Sequence, residues 1–294
     1  MIPKEVLKNI RRIQITTSRM VTDVFAGQYQ SVFKGKGMEF DEVRQYQPGD
    51  EIRSIDWNVT ARMGAPYIKK FVEERELTVM LMLDMSPSSF FGTSKQLKMR
   101  LAAEICSLLA MAAIKNNDKV GFIAFTDKIE KFIPPRKGLR HVLRIVSEAL
   151  YFKPSGRKTD IAAALEYLNR VTTRKTVAFV ISDFYAPDFK NMLAVSNKRH
   201  DIVAITVTDP RELELPDTGI VMLEDLESGE SFTVDTSDRE LRERYSRDAG
   251  QRQKDREMLF RSVNVDSIDV RTDMPYAQSL FRFFKTRERR LRIR

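Results

Sequence analysis

The 294-residue chain is poor in the side chains that build most catalytic centres, with one cysteine, two histidines and one tryptophan. The single thiol, Cys106, has no partner for an internal disulfide. His141 and His200 alone make neither a zinc site nor a histidine relay easy to assemble. Metal chemistry is therefore expected from oxygen ligands. No stretch of about 18 uncharged apolar residues occurs, and the N-terminus has no apolar signal core or cleavage site. The chain reads as cytoplasmic, with neither a membrane span nor a signal peptide expected. Repeats, low-complexity tracts and Gly/Ser linkers are missing, as is the Gly-x-x-x-x-Gly-Lys-Ser/Thr spacing of a P-loop.

What is present is charge and a sizeable apolar complement. Lys and Arg number 50 against 41 Asp and Glu, a net +9, and 42% of residues are hydrophobic. Much of the basic excess lies in the last ten residues, KTRERRLRIR. This segment is read mainly as a solvated tail, with a partner-binding patch as the alternative. Nucleic-acid binding is not expected, because the aromatics sit in apolar strands and helices instead of alternating with Lys and Arg.

From Leu77 onward, buried-strand and helix patterns alternate. Strands are predicted over 77–83, 119–125, 176–182, 202–208 and 268–271, and helices over 95–114, 139–149, 161–170, 188–198, 239–260 and 276–284. The 129–133 strand follows 119–125 after three residues, too short a link for a parallel crossover, so it returns antiparallel and ends at Pro134-Pro135. The fold class is α/β, a doubly wound, mostly parallel sheet of Rossmann type with an extended N-terminal segment. Residues 1–76 are taken as an N-terminal helix, about 4–24, and a signature segment packed on the main domain. Residues 77–294 form that domain, with a small hairpin insertion near 219–235.

Ligands of such sheets lie beyond the carboxyl ends of the strands. There the sequence places Asp84, Ser86 and Ser88 at alternate positions after the first strand, Thr159 before a helix, and Asp183 after the third parallel strand. Two carboxylates and three hydroxyls, without thiol or imidazole, describe a site for a hard cation such as Mg²⁺ or Mn²⁺. Taken singly, each residue also suits a helix cap, and Asp160 is a further carboxylate beside them.

Together, Asp-x-Ser-x-Ser after an apolar strand, Thr159-Asp160 and Asp183 resemble the metal-ion-dependent adhesion site of von Willebrand factor A domains. That resemblance implies direct metal ligation by Ser86 and Ser88, water-mediated roles for Asp84 and Asp183, and a state-dependent contact for Thr159. It also implies one open coordination position for a partner's carboxylate. Phe184 departs from the family's pattern, in which a Gly often follows the last Asp, and a ring there would narrow the approach to the metal.

Residues 27–76 carry Gly35 and Gly37, Arg44-x-Tyr46-x-Pro48-Gly49-Asp50, Arg53, Asp56-Trp57 and Ala61-Arg62. The charged residues Glu39, Arg44, Asp50, Arg53, Asp56 and Arg62 are expected to pair and lock the segment onto the domain, or else to form a partner surface. Trp57 is expected as a packing anchor. This string resembles the signature of the DUF58 family. The resemblance implies a von Willebrand A-like domain, a binding or adaptor role without established catalysis, and a MoxR-type AAA+ ATPase as partner acting on an unknown client protein. Longer members carry transmembrane helices ahead of the signature, which leaves peripheral membrane association open here. The alternative function is a metal-dependent hydrolase using the same carboxylates.

Overall fold

The computed structural model describes residues 26, 27, 29, 32, 33, 39–72, 76–93, 96–226 and 229–293. The helix expected over 4–24 lies outside them, as do Gly35 and Gly37. Strand β1 (Glu39–Gln45) pairs antiparallel with β2 (Tyr67–Val72), and helix α1 (Trp57–Met63) lies between them in sequence.

The main sheet follows from strands that are apolar on both faces. It contains β3 (Thr78–Asp84), β4 (Lys119–Phe125), β5 (Ile129–Arg136), β6 (Val177–Ser182), β7 (Asp201–Thr208) and β10 (Asp266–Arg271), in the order β10-β7-β6-β3-β4-β5. All neighbours run parallel except β5, which returns antiparallel on β4. Helices α2 (Lys98–Lys115), α3 (Leu139–Tyr151), α4 (Ile161–Val171), α5 (Lys190–Arg199), α6 (Arg239–Ser262) and α7 (Tyr276–Ile293) complete the domain. The hairpin of β8 (Ile220–Glu224) and β9 (Ser231–Asp235) is where the sequence puts it.

Strand periodicity divides the core into two layers. Val79, Leu81 and Leu83 of β3 face a cluster with Leu101, Ile105 and Leu108 of α2 and Val142 and Ile145 of α3. Met80 and Met82, one residue out of phase, face Leu165 and Leu168 of α4, Leu193 of α5 and Phe260 of α6. Tyr29 and Phe33 are buried in the first layer, where Phe33 packs edge-on against Phe179 and Phe284.

Two expectations about element ends are corrected. Strand β5 continues through Pro134-Pro135 to Arg136, because it is an edge strand on which a missing N–H costs no ladder bond. The C-terminal basic stretch is helical, continuing α7 to Ile293, and Lys285, Thr286, Arg289 and Arg290 are exposed as a solvated segment would have them. Arg287 pairs with Asp201 and Asp266 and lies over the Phe33 ring, and Arg290 pairs with Asp266 at 2.9 Å. No helix among the described residues is long and apolar enough to cross a membrane.

Candidate metal centre

The first loop is shaped by the carboxylate that ends β3. Asp84, 1% exposed, accepts the Ser86 N–H on Oδ1 at 2.9 Å, which bends the chain as it leaves the strand. Its Oδ2 accepts the Ser182 hydroxyl at 2.6 Å, tying the ends of β3 and β6 together. Ser89 closes the short helical turn Pro87–Phe90 by donating to the Asp84 carbonyl. The Ser86 and Ser88 hydroxyls then hydrogen-bond to each other at 3.0 Å.

At the end of β6, Asp183 is buried and its two oxygens have separate donors. Oδ1 accepts the Tyr185 N–H at 3.1 Å, and Oδ2 accepts the Lys98 ammonium at 2.9 Å. Phe184, the departure from the family's pattern, adopts the left-handed φ of +58°. A glycine would take that conformation without strain. Its ring is buried in the second core layer, 5.0 Å from the Phe260 ring and 5.9 Å from that of Phe189.

Thr159 is half-buried on the loop that leads into α4. The adjoining Asp160 N–H donates to the Thr126 carbonyl just past β4, the strand beside β3. Glu130 of β5 fastens the same loop by accepting from the N–H groups of Ser155 and Gly156 and from the Thr126 hydroxyl. Any side chain at Gly156 would put a carbon 2.1 Å from Thr126 Oγ1 and Asp127 Oδ1. Asp160 is exposed and caps α4 through the Ala163 N–H at 2.8 Å, so at this residue the capping role prevails.

Lys98, Ser182, Thr93, Asp209 and Glu212 are the participants that the sequence reading missed. Lys98 Nζ, 2% exposed, bonds Asp183 at 2.9 Å and Glu212 at 2.6 Å. Glu212 Oε2 accepts the Asp209 N–H, and the Asp209 carboxylate accepts both the N–H and the hydroxyl of Thr93 and the hydroxyl of Thr272. The sequence held one signal for this network: Lys98 shares the apolar stripe of α2 with Leu101, Ala102 and Ile105.

The electrostatics follow from burial. Desolvation, and then the charge of Asp183, raise the Asp84 carboxyl to about 6 against the pull of its hydrogen bonds from Ser182 and Ser86. Burial also opposes the Lys98 charge, but Asp183 and Glu212 outweigh it and hold the ammonium protonated. Among the described residues no three His, Cys, Asp or Glu side chains gather as a metal-binding group. A cation here would depend on hydroxyl ligands. The serine pair is compatible with that, since its hydrogen-bonded oxygens, 3.0 Å apart, are spaced like neighbouring corners of an octahedron with Mg–O bonds of about 2.0–2.1 Å. Ser86, Ser88 and Asp84 fit a hard cation, whereas Asp183 is engaged by Lys98.

In the N-terminal signature, the Asp56 N–H donates to the Tyr67 carbonyl and the Tyr46 N–H to that of Pro66. Arg44 pairs with Asp50 at 2.7 Å, and Asp50 also accepts the Gln47 N–H. Asp56 caps α1 through the N–H groups of Asn58 and Val59. Arg53 and Arg62 are exposed. Trp57 is 68% exposed, so it is not the packing anchor expected from its type. It begins a seven-residue helix none of whose side chains is buried. Cys106 is buried in the core, and His141 and His200 bond the Val120 carbonyl and the Thr172 hydroxyl.

Residues 42–255 match the family described as "Protein of unknown function DUF58". The uncharacterized protein Rv1480 of Mycobacterium tuberculosis is 32% identical over 286 residues, covering 95% of this chain and 89% of its own. Among solved structures, an aerotolerance-related membrane protein from Bacteroides fragilis superposes with a TM-score of 0.50 at 17% identity, covering 71% of this chain and 99% of that one. The VWA domain of SpRpn10 aligns more loosely, with a TM-score of 0.38 at 10% identity over 70% of this chain and 94% of that domain. On the extent of the family match and the likeness to Rv1480, the chain belongs to the DUF58 family.

Proposed function

We propose that this protein is a divalent-cation-dependent interaction module, an adaptor working with a MoxR-type AAA+ ATPase in the maturation or assembly of a client protein. The observation that carries the reading is the Ser86–Ser88 hydroxyl pair, 3.0 Å apart beside the buried Asp84 carboxylate at the sheet's carboxyl edge. In this reading Ser86, Ser88 and Thr159 hold Mg²⁺ or Mn²⁺ with Asp84 as a further acceptor, and Asp183, expected as a second one, would have to give up its bond to Lys98 to serve. When bound, the metal supplies a position that an acidic side chain of the partner completes. The chain's own residues shape the loop and orient its hydroxyls, with Ser182 clamping Asp84. The ATPase as partner rests on the family resemblance.

Calorimetric titration with Mg²⁺ and Mn²⁺ should show one equivalent bound, lost in Ser86→Ala. Pull-down of a MoxR-type ATPase or client should require Mg²⁺, fall in EDTA, and weaken in Ser86→Ala and Thr159→Ala. A mechanism through the basic α7 surface predicts the reverse, with binding indifferent to EDTA and steeply reduced by salt. That outcome would sink the metal-bridge reading. The hydrolase alternative would use the same carboxylates, and it is weakened because Asp183 is bonded to Lys98 and Tyr185 and Asp84 to Ser86 and Ser182.

A further inference from the structure

Lys98 occupies an unfavourable place for a cation. It is the first residue of α2, where the helix dipole disfavours positive charge, and the preceding Leu97 gives the free N–H groups no side-chain cap. It is also buried on an apolar stripe, so its ammonium has lost nearly all its water. Among the described residues, Asp183 and Glu212 are the anions that offset these costs. Replacing the whole set of charges by apolar side chains is often neutral or stabilising, whereas removing Lys98 alone would leave the buried Asp183 and Glu212 carboxylates without their cation. Stability therefore explains a lysine only once Asp183 and Glu212 are in place, and leaves open why charge is kept at this edge at all.

The ammonium is bonded directly to Asp183, one of the carboxylates of the candidate cation site. It sits on the carboxylate whose charge helps to raise Asp84. By neutralising Asp183 it would cancel part of the negative potential that draws a divalent cation to the serine pair. Glu212 holds it there firmly, being itself fixed by the Asp209 N–H while Asp209 grips Thr93 of the first loop.

We propose that Lys98 is a resident counter-cation whose ammonium, held by Asp183 and Glu212, lowers and sets the affinity of the Ser86–Ser88 centre for divalent metal. This rests on reading that centre as a cation site. Lys98 acts through Asp183 as a positioning and charge-setting residue.

The test is calorimetric titration of MnCl₂ and MgCl₂ into the full chain, comparing wild type with Lys98→Met and Glu212→Gln. Lys98→Met should bind metal at least about tenfold more tightly, because Asp183 is no longer neutralised. Glu212→Gln keeps the ammonium but removes a balancing anion, so it should bind more weakly. A purely structural bolt would shift both variants the same way or neither. Should Lys98→Met fail to fold, Lys98→Gln keeps a hydrogen-bond donor without the charge and should move affinity in the same direction. Wild-type binding with equal or weaker affinity in the folded Lys98 variant would overturn the inference alone. Absence of binding in wild type and Lys98 variants alike would overturn the cation reading and the inference with it.

Discussion

The carboxyl edge of the main sheet and the N-terminal signature segment both concentrate charge, yet they use it oppositely. At the sheet edge the charges are buried and meet across long stretches of chain: Lys98 with Asp183 and Glu212, and Thr93 with Asp209. In the signature the Arg44–Asp50 pair is local and much of the surroundings is open, with Ile52, Trp57 and Met63 well exposed. A dense charged motif in sequence is thus no measure of energetic weight. Burial and the distance along the chain that a contact closes decide how far a lost partner is felt.

The largest effect should come from Asp183→Ala, which leaves Lys98 buried with only Glu212. Removing one partner of a buried pair costs about 3–5 kcal/mol, measured as a drop in the urea unfolding free energy. Breaking Arg44–Asp50 by Asp50→Ala should leave the same curve superimposable on wild type. A comparable loss at both places would erase the contrast between the regions.

Next is Gly156→Ala, which drives a methyl into Thr126 and Asp127 and should cost about 3 kcal/mol as the Thr159 loop shifts. Gly64→Ala, at the end of α1, meets nothing within 4 Å and is strained only by its φ of +68°. Its penalty should be clearly smaller, and equal penalties would contradict the packing account.

Asp84→Asn should act in the opposite direction. The folded-state Asp84 carboxyl lies near 6, above its ordinary value of 3.8. Its stabilising contribution is therefore complete below pH 3.8 and is lost as pH rises through 6. With EDTA present, the neutral variant should be more stable than wild type above pH 6 by about 2 kcal/mol, and the advantage should vanish near pH 4. The comparison must be made against the variant, because His200, held down to about 4 by burial, tilts the wild-type curve the other way over that range. A variant less stable than wild type at pH 7 would show that the carboxylate's hydrogen bonds outweigh its desolvation. The smallest effect is expected from Trp57→Ser, with unfolding unchanged because the ring packs against little.

Much of the architecture was written locally. The apolar runs of β3, β4, β6 and β7 identify buried strands because every position faces a helix layer, and the three-residue link forces β5 to reverse. Asp84, Ser86 and Ser88 lie within five residues, so their convergence needs only one turn of chain. The continuation of β5 through two prolines depended on its place at the sheet edge, and the full length of α7 on the carboxylates that meet its arginines. The exposure of Trp57 likewise came from what the fold leaves uncovered.

The sequence by itself determined the parallel sheet and which residues stand at its carboxyl edge, since both depend on periodicity and neighbouring residues. Only the tertiary structure decided the charge state of that edge. Lys98 is separated from Asp183 by 85 positions and from Glu212 by 114, and Thr93 from Asp209 by 116. No local pattern pairs residues so far apart. Their attraction becomes strong only once packing has removed the water between them.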